Sequence, residues 1–226
     1  MADVLSVDKL KGRIGTLAIV GGGAMGEALV CGLLKAGAVE PASVVVANPG
    51  MDKRAHLSHT YGVSCVADAS EIVHPETVVL AVKPQILPDV ASGLSQVATF
   101  DPKRVISIAA GVTLAALRSW FPRSYHVRAM PNAPLRVGAG MTTVSVDDPR
   151  DVDEVACALG LFDCMGQAVL IDEALQNAAV AVSGSGPAYF ALFAESVARA
   201  GIELGLDEET ALRMSVATMA GTVALL

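Results

Sequence analysis

Ile14-Gly15-Thr16-Leu17-Ala18-Ile19-Val20-Gly21-Gly22-Gly23-Ala24-Met25-Gly26 is the stretch that decides the fold. Residues 14–20 are a short apolar run with β-branched side chains, the pattern of a buried strand. The glycines at 21, 23 and 26 fit G-x-G-x-x-G at a strand-to-helix junction, the setting that dinucleotide binding requires. Gly21 permits the tight turn, and Gly23 lets the backbone approach a diphosphate. Gly26 lets the next helix pack on the sheet with its N-terminal amides aimed at phosphate oxygens. That helix is expected to run to about Lys35, with Gly37 as its stop.

Outward from this point the pattern repeats. Residues 43–47 (Ser-Val-Val-Val-Ala) and 77–82 are continuous apolar runs of the kind found in strands buried on both faces, and 104–109 and 125–130 supply further strand candidates, each close to a Pro or Gly. Helical spacing lies between them. The alternation predicts an α/β fold: a Rossmann-type doubly wound, mostly parallel sheet over residues 12–150. After Asp147-Asp148-Pro149 the pattern turns mostly helical, so residues 151–226 are expected to form a smaller all-helical domain. Its helices are predicted at about 152–164, 172–182, 187–204 and 207 to the end, the last with Leu212, Val216, Met219 and Val223 on one stripe. That helix reaches Leu225-Leu226 without a glycine cap or basic last turn, and the expectation is that the natural chain continues.

Composition excludes several classes. The chain has 226 residues, 53% of them hydrophobic, which is ample for a core. A net charge of −7 gives no footprint for nucleic acid or an anionic membrane. Cys31, Cys65, Cys157 and Cys164 form no C-x-x-C pair and read as free thiols in a reducing compartment. The four histidines lack metal-ligand partners, and His56 and His59 read as a solvated helix face. The N-terminus has neither basic nor apolar leader regions, so a cytoplasmic protein is expected. Residues 174–194 carry no charge and approach membrane-spanning length. Gln176, Asn177, Ser183 and Ser185 are polar, however, and Gly184, Gly186 and Pro187 interrupt the middle. The segment reads as two buried helices joined at a tight turn.

Chemistry is concentrated in a few places. An Asp or Glu about 20 residues past the glycines would hold the ribose hydroxyls of NAD. Here Asn48 stands 22 residues past Gly26, with Lys53 and Arg54 downstream, so a 2′-phosphate meets no carboxylate and NADPH is favoured over NADH. Ala81-Val82-Lys83-Pro84-Gln85 ends a strand at the edge where such sheets bind ligands. Arg128-Ala129-Met130-Pro131-Asn132-Ala133-Pro134 fixes an asparagine between prolines. Ser183-Gly184-Ser185-Gly186-Pro187-Ala188-Tyr189 either packs two backbones closely or offers amides and hydroxyls to a ligand.

In order along the chain, the glycine loop, Ala81 to Pro84, Ile108-Ala109-Ala110-Gly111-Val112-Thr113, Arg128 to Asn132 and Val182 to Tyr189 resemble pyrroline-5-carboxylate reductase, from Ile14 to Leu226. The resemblance implies reduction of 1-pyrroline-5-carboxylate to L-proline by a nicotinamide cofactor, and a helical domain through which subunits dimerise. It implies that Val20, Gly21, Gly22, Gly23, Ala24 and Met25 hold the pyrophosphate, with Asn48 at the adenosine 2′ position and Asp68 near the adenine ribose. Ala81, Val82, Lys83 and Pro84 would line the cofactor with Ala109, Ala110 and Gly111, and Asn132 would lie near the nicotinamide. Ser183, Gly184, Ser185, Gly186 and Pro187 would face the substrate. The family's Ser-Pro-Gly-Gly-Thr-Thr motif, whose amides hold the substrate carboxylate and whose threonine approaches the imine nitrogen, does not occur in these 226 residues. The implied catalytic threonine is therefore expected beyond residue 226.

The reaction asks little of acid–base side chains, since a protonated imine already accepts hydride and alignment supplies most of the rate. Other readings are another NADPH-dependent imine reductase or β-hydroxyacid dehydrogenase, and a non-catalytic dinucleotide-binding protein. The dehydrogenase would need a catalytic lysine in the helical half, and no lysine follows Lys103.

Overall fold

The computed structural model of the chain describes residues 6–225. Residues 1–5, on which the expectation of no leader rests, and the tip at Leu226 lie outside them. Among the described residues one sheet contains β1 (Leu17–Val20), β2 (Val44–Ala47), β3 (Ser64–Val66), β4 (Thr77–Leu80), β5 (Arg104–Ser107), β6 (Tyr125–Met130), β7 (Gly140–Val146) and β8 (Gly166–Leu170). Their spatial order is β3-β2-β1-β4-β5-β6-β7-β8. Pairing is parallel from β3 across to β6, antiparallel between β6 and β7, and parallel again between β7 and β8. The strand order reverses between β1 and β4, which opens a crevice at their carboxyl ends.

Helices cover both faces, as continuous apolar strands require. They are α1 (Val7–Ile14), α2 (Ala24–Lys35), α3 (Met51–Tyr61), α4 (Leu87–Leu94), α5 (Leu114–Trp120) and α6 (Val152–Asp163). Strand alternation sorts the core into two layers. Val46, Val79 and Ile106 pack with Leu10, Leu29, Leu33 and Phe162 on one side. Val78, Leu80 and Val105 pack with Leu87, Leu94 and Leu117 on the other.

Several boundaries differ from expectation. Ile14 closes α1, and β1 begins only at Leu17, because Gly15 turns the chain at φ 62° with a Cβ position 2.3 Å from the Glu76 carboxyl. The strands expected to reach 82 and 109 stop at Leu80 and Ser107, so residues 81–82 and 108–109 follow them as loop, with Ala109 buried. The all-helical region does not begin at 151. Residues 140–146 form β7, α6 packs on α1 and the sheet, and β8 extends the sheet to residue 170.

After β8 come a 3-10 turn (Glu173–Leu175), α7 (Gln176–Ala179), a π-helical turn (Val180–Gly184), α8 (Gly186–Glu203) and α9 (Glu208–Val223). The stretch expected as two helices with a tight turn is thus one nearly continuous helix carrying a π-bulge, where Ser185 N–H donates to Val180 O at 2.8 Å, five residues back. Pro187 sits in the first turn of α8, and the donor it cannot supply to Ser183 O comes from the Asn132 side chain. The expectation of burial is also corrected. α8 and α9 meet through small residues: Ser215 Oγ donates to Ala194 O at 2.7 Å, and a Cβ on Gly201 would lie 3.5 Å from Ala211. The large apolar side chains face away, with Phe190 and Phe193 each 63% exposed. Leu212, Val216 and Val223 of the expected stripe are exposed too. An apolar groove of about 810 Å³ runs between the two helices. No helix among the described residues is long and apolar enough to cross a membrane.

Candidate active site

The glycine loop leaves β1 and enters α2, with Gly23 as N-cap. Gly21 holds φ 111°, and a Cβ there would lie 2.8 Å from the Ala81 carbonyl. A side chain on Gly26 would strike Gly21 O at 2.0 Å, so the first turn of α2 rests directly on the loop. Gly22 faces Leu57 and the Asn48 amide, with Cβ distances of 2.8 and 3.3 Å. Only Gly23 opens outward, with nothing within 4 Å of its Cβ position. Val20 is buried beneath, Ala24 is exposed and Met25 half-buried. Packing thus explains Gly21, Gly22 and Gly26, while Gly23 and the free N–H groups of the first helical turn leave a cradle for an anion.

Beside the loop a cavity of about 460 Å³ opens at the ends of β1, β2 and β4, and Gly21, Asn48, Asp68 and Val82 form part of its wall. Asn48 Oδ1 accepts Gly50 N–H at 2.9 Å, an Asx turn that holds the loop after β2. Asp68 caps a short 3-10 turn: its Oδ1 accepts Ser70 N–H at 2.8 Å, and that hydrogen bond holds its carboxyl below the usual range. Arg54 Nη1 donates to the carbonyls of Asn48 and Pro49 at 2.8 and 2.7 Å. Lys53 pairs with Glu27 in the first turn of α2. His56 Nε2 also reaches Glu27, at 2.7 Å, so this helix face is not merely solvated.

Along the same sheet edge, the strand order sets the ends of β4, β5 and β6 side by side. After β4, Lys83 is exposed and Pro84 half-buried, and the Ile86 N–H closes a turn on Lys83 O at 3.1 Å. After β5, Ala109 is buried while Ala110 and Gly111 are exposed, the latter at φ 79° with open space above it. At the end of β6, Asn132 is 8% exposed and its amide is fully engaged. Its Oδ1 accepts Met141 N–H at 2.9 Å, and its Nδ2 donates to Ser183 O at 3.0 Å. Ser183 is the residue four before Pro187, so its carbonyl lacks the donor an ordinary helix would supply. Asn132 replaces it. Gly184 lies against Met130, with a Cβ position 3.9 Å from Cε, and Ser183 Oγ donates to Ala179 O. Ser185, Gly186 and Pro187 continue into α8, Gly186 buried and its neighbours half-buried. The structure therefore unites the β6 segment with the 183–187 segment.

A second tie joins the same parts. Glu173 Oε1 accepts Leu114 N–H at 2.8 Å at the start of α5 and pairs with Arg128 Nη1 at 3.1 Å. Neither Glu173 nor Glu27 was marked by local spacing, since their partners lie 59 and 26 residues away. Among the described residues no cluster of His, Cys, Asp and Glu could hold a metal ion, and the four cysteines are free thiols.

A doubly wound sheet with this loop at its switch point, followed by a helical hairpin, defines the class: a dinucleotide-binding oxidoreductase fold with an appended helical unit. Residues 16–111 match the family described as NADP oxidoreductase coenzyme F420-dependent, and residues 173–226 match pyrroline-5-carboxylate reductase dimerisation. Pyrroline-5-carboxylate reductase of Synechocystis is 38% identical over 211 residues, covering 93% of this chain and 78% of that protein. The solved enzyme from Coxiella burnetii superposes with a TM-score of 0.86 at 32% identity, over 94% of this chain and 79% of that one. Plasmodium falciparum pyrroline carboxylate reductase, solved with NADP bound, superposes at 0.81 with 27% identity over the same shares. The chain belongs to the pyrroline-5-carboxylate reductase family.

Proposed function

We propose that this chain reduces 1-pyrroline-5-carboxylate to L-proline with NADPH, the last step of proline biosynthesis. The observation that carries the reading is the outward-opening Gly23 above the start of α2, at the switch point of a sheet whose chain belongs to this family. The group fits the residues present: the backbone from Val20 to Met25 takes the diphosphate, and Asn48 and Asp68 take the adenosine end. Ala81 to Pro84, Ala109 to Gly111 and Asn132 line the nicotinamide end, and the turn from Ser183 to Pro187 faces the substrate. Bound NADPH supplies a hydride to the imine carbon. The residues of this chain align the two reactants and exclude water, and the arrangement needs no activated nucleophile. Asn132 serves by clamping the β6 loop to the π-bulge, which fixes the substrate side against the cofactor side.

Two further parts belong to the same reading. The helical unit begins near residue 173, and a second copy covers its open apolar groove to make a homodimer. Four free thiols, with Cys157 fully buried, suit the reducing cytoplasm. The test is NADPH oxidation in the presence of pyrroline-5-carboxylate, run on the 226-residue chain and on the chain extended by the family's C-terminal segment. The expected result is proline formation with the extended chain. NADPH binding without turnover in both would overturn the assignment in favour of a non-catalytic dinucleotide-binding protein.

A further inference from the structure

Glu27 is a chemically costly choice at its position. It stands in the first turn of α2, the helix end aimed at the diphosphate, where a carboxylate adds repulsion. Its two oxygens are occupied by cationic or polar groups of α3. Lys53 Nζ bonds Oε2, His56 Nε2 lies 2.7 Å from Oε1, and Tyr61 donates its hydroxyl to Oε1 at 3.3 Å. Lys53 most of all, and His56 with it, hold the Glu27 carboxyl below its ordinary range.

Lys53 stems from the turn where a doubly wound fold meets the adenosine 2′ position, and a cation there accommodates a 2′-phosphate. Its Cβ lies 3.8 Å from the Cβ position of Gly50, whose N–H is bound to Asn48. Arg54 spends Nη1 on the carbonyls of Asn48 and Pro49 and so braces the turn. Lys53 is bonded to no backbone group; its partner is Glu27, on a different helix, and both side chains are partly exposed.

We infer that Glu27 is a specificity-determining residue: by holding Lys53 it weakens recognition of the 2′-phosphate and keeps the site open to both NADPH and NADH. The inference rests on the cofactor site proposed above. A phosphate at the 2′ position competes with the Glu27 carboxylate for one ammonium, and the unphosphorylated dinucleotide does not.

The test is equilibrium titration of NADPH and of NADH against the wild type, Glu27→Gln, Lys53→Gln and the double variant. Glu27→Gln is expected to tighten NADPH about fivefold, the size of a released, partly exposed ion pair, with NADH changed less than about twofold. Lys53→Gln alone is expected to alter the ratio little, and in the double variant it should cancel the gain. A merely structural role for Glu27 would move both dinucleotides together, and that result overturns the inference. A large loss of NADPH preference in Lys53→Gln alone also overturns it, since Lys53 would then already serve the phosphate. If neither dinucleotide binds the folded wild type, the site reading itself falls and takes this inference with it.

Discussion

The sheet, residues 17–170, closes its own core, whereas the helical unit from residue 173 does not. Strands β1, β4 and β5 are buried along their whole length between two helical layers. In α8 only Gly186, Ala194 and Ala198 are buried, and the aromatic side chains stand in solvent. Both regions are equally apolar in sequence, so hydrophobicity alone does not tell whether a surface is satisfied within its own chain. What separates them is size: α8 and α9 approach each other on alanine, glycine and serine, too closely for their large side chains to lie between them.

Phe193→Asp attacks the open region. In the homodimer proposed above it places a charge on both sides of the two-fold contact and should raise the dimer dissociation constant by about a thousandfold or more, read by sedimentation, and leave NADPH titration nearly unchanged. Leu29→Ala attacks the closed region, where the side chain is 0% exposed. It should cost about 2–5 kcal/mol in urea unfolding without changing the assembly state. Gly23→Val should leave the melting temperature almost intact, because the space above it is empty, and lower NADPH affinity by about a hundredfold or more. Unchanged affinity would remove the cradle from the site. Asn132→Ala cuts the tie between the regions and should cost about 1–3 kcal/mol, since it strands Ser183 O and Met141 N–H. The smallest effect concerns Glu27. Its carboxyl is held below its ordinary value of 4.5, so its stabilising contribution is present above that pH and is lost as pH falls through the lower folded value. The stability gap between wild type and Glu27→Gln in urea should accordingly shrink as the solution is acidified.

The part of the fold visible in the sequence is the part where side-chain chemistry and backbone state agree. β1, β2, β4 and β5 are short runs rich in β-branched residues and stand out, β6 is marked by the prolines that flank it, and the glycine loop stands out between β1 and α2. β7 is concealed because Thr142, Thr143 and Ser145 are buried polar residues; Thr143 is satisfied by Gln176 across 33 positions, and Ser145 by Gln176 and the carbonyl of Ile171. α1 is concealed because four of its eight residues are charged and only Leu10 and Ile14 are buried. Gly184, Gly186 and Pro187 read as a break because the donor that repairs the helix, Asn132, lies 51 residues upstream. Separation along the chain likewise hid the contacts of Glu27 and Glu173, 26 and 59 residues from their partners. Gly21, Asn48 and Val82 in the cavity wall were legible from the loop and strand ends, but the contacts that hold them were not.

The π-bulge at Val180–Gly184 sets the direction in which the helical hairpin faces. Each residue of an α-helix advances about 100° around the axis, so one extra residue in that turn swings everything after it by roughly that angle. Deleting a single residue there would re-clock α8 and α9 while leaving their mutual packing alone, turning the greasy side of the pair to a different direction. An irregularity one residue long thus acts as the alignment key between the sheet and the exposed apolar face of the hairpin.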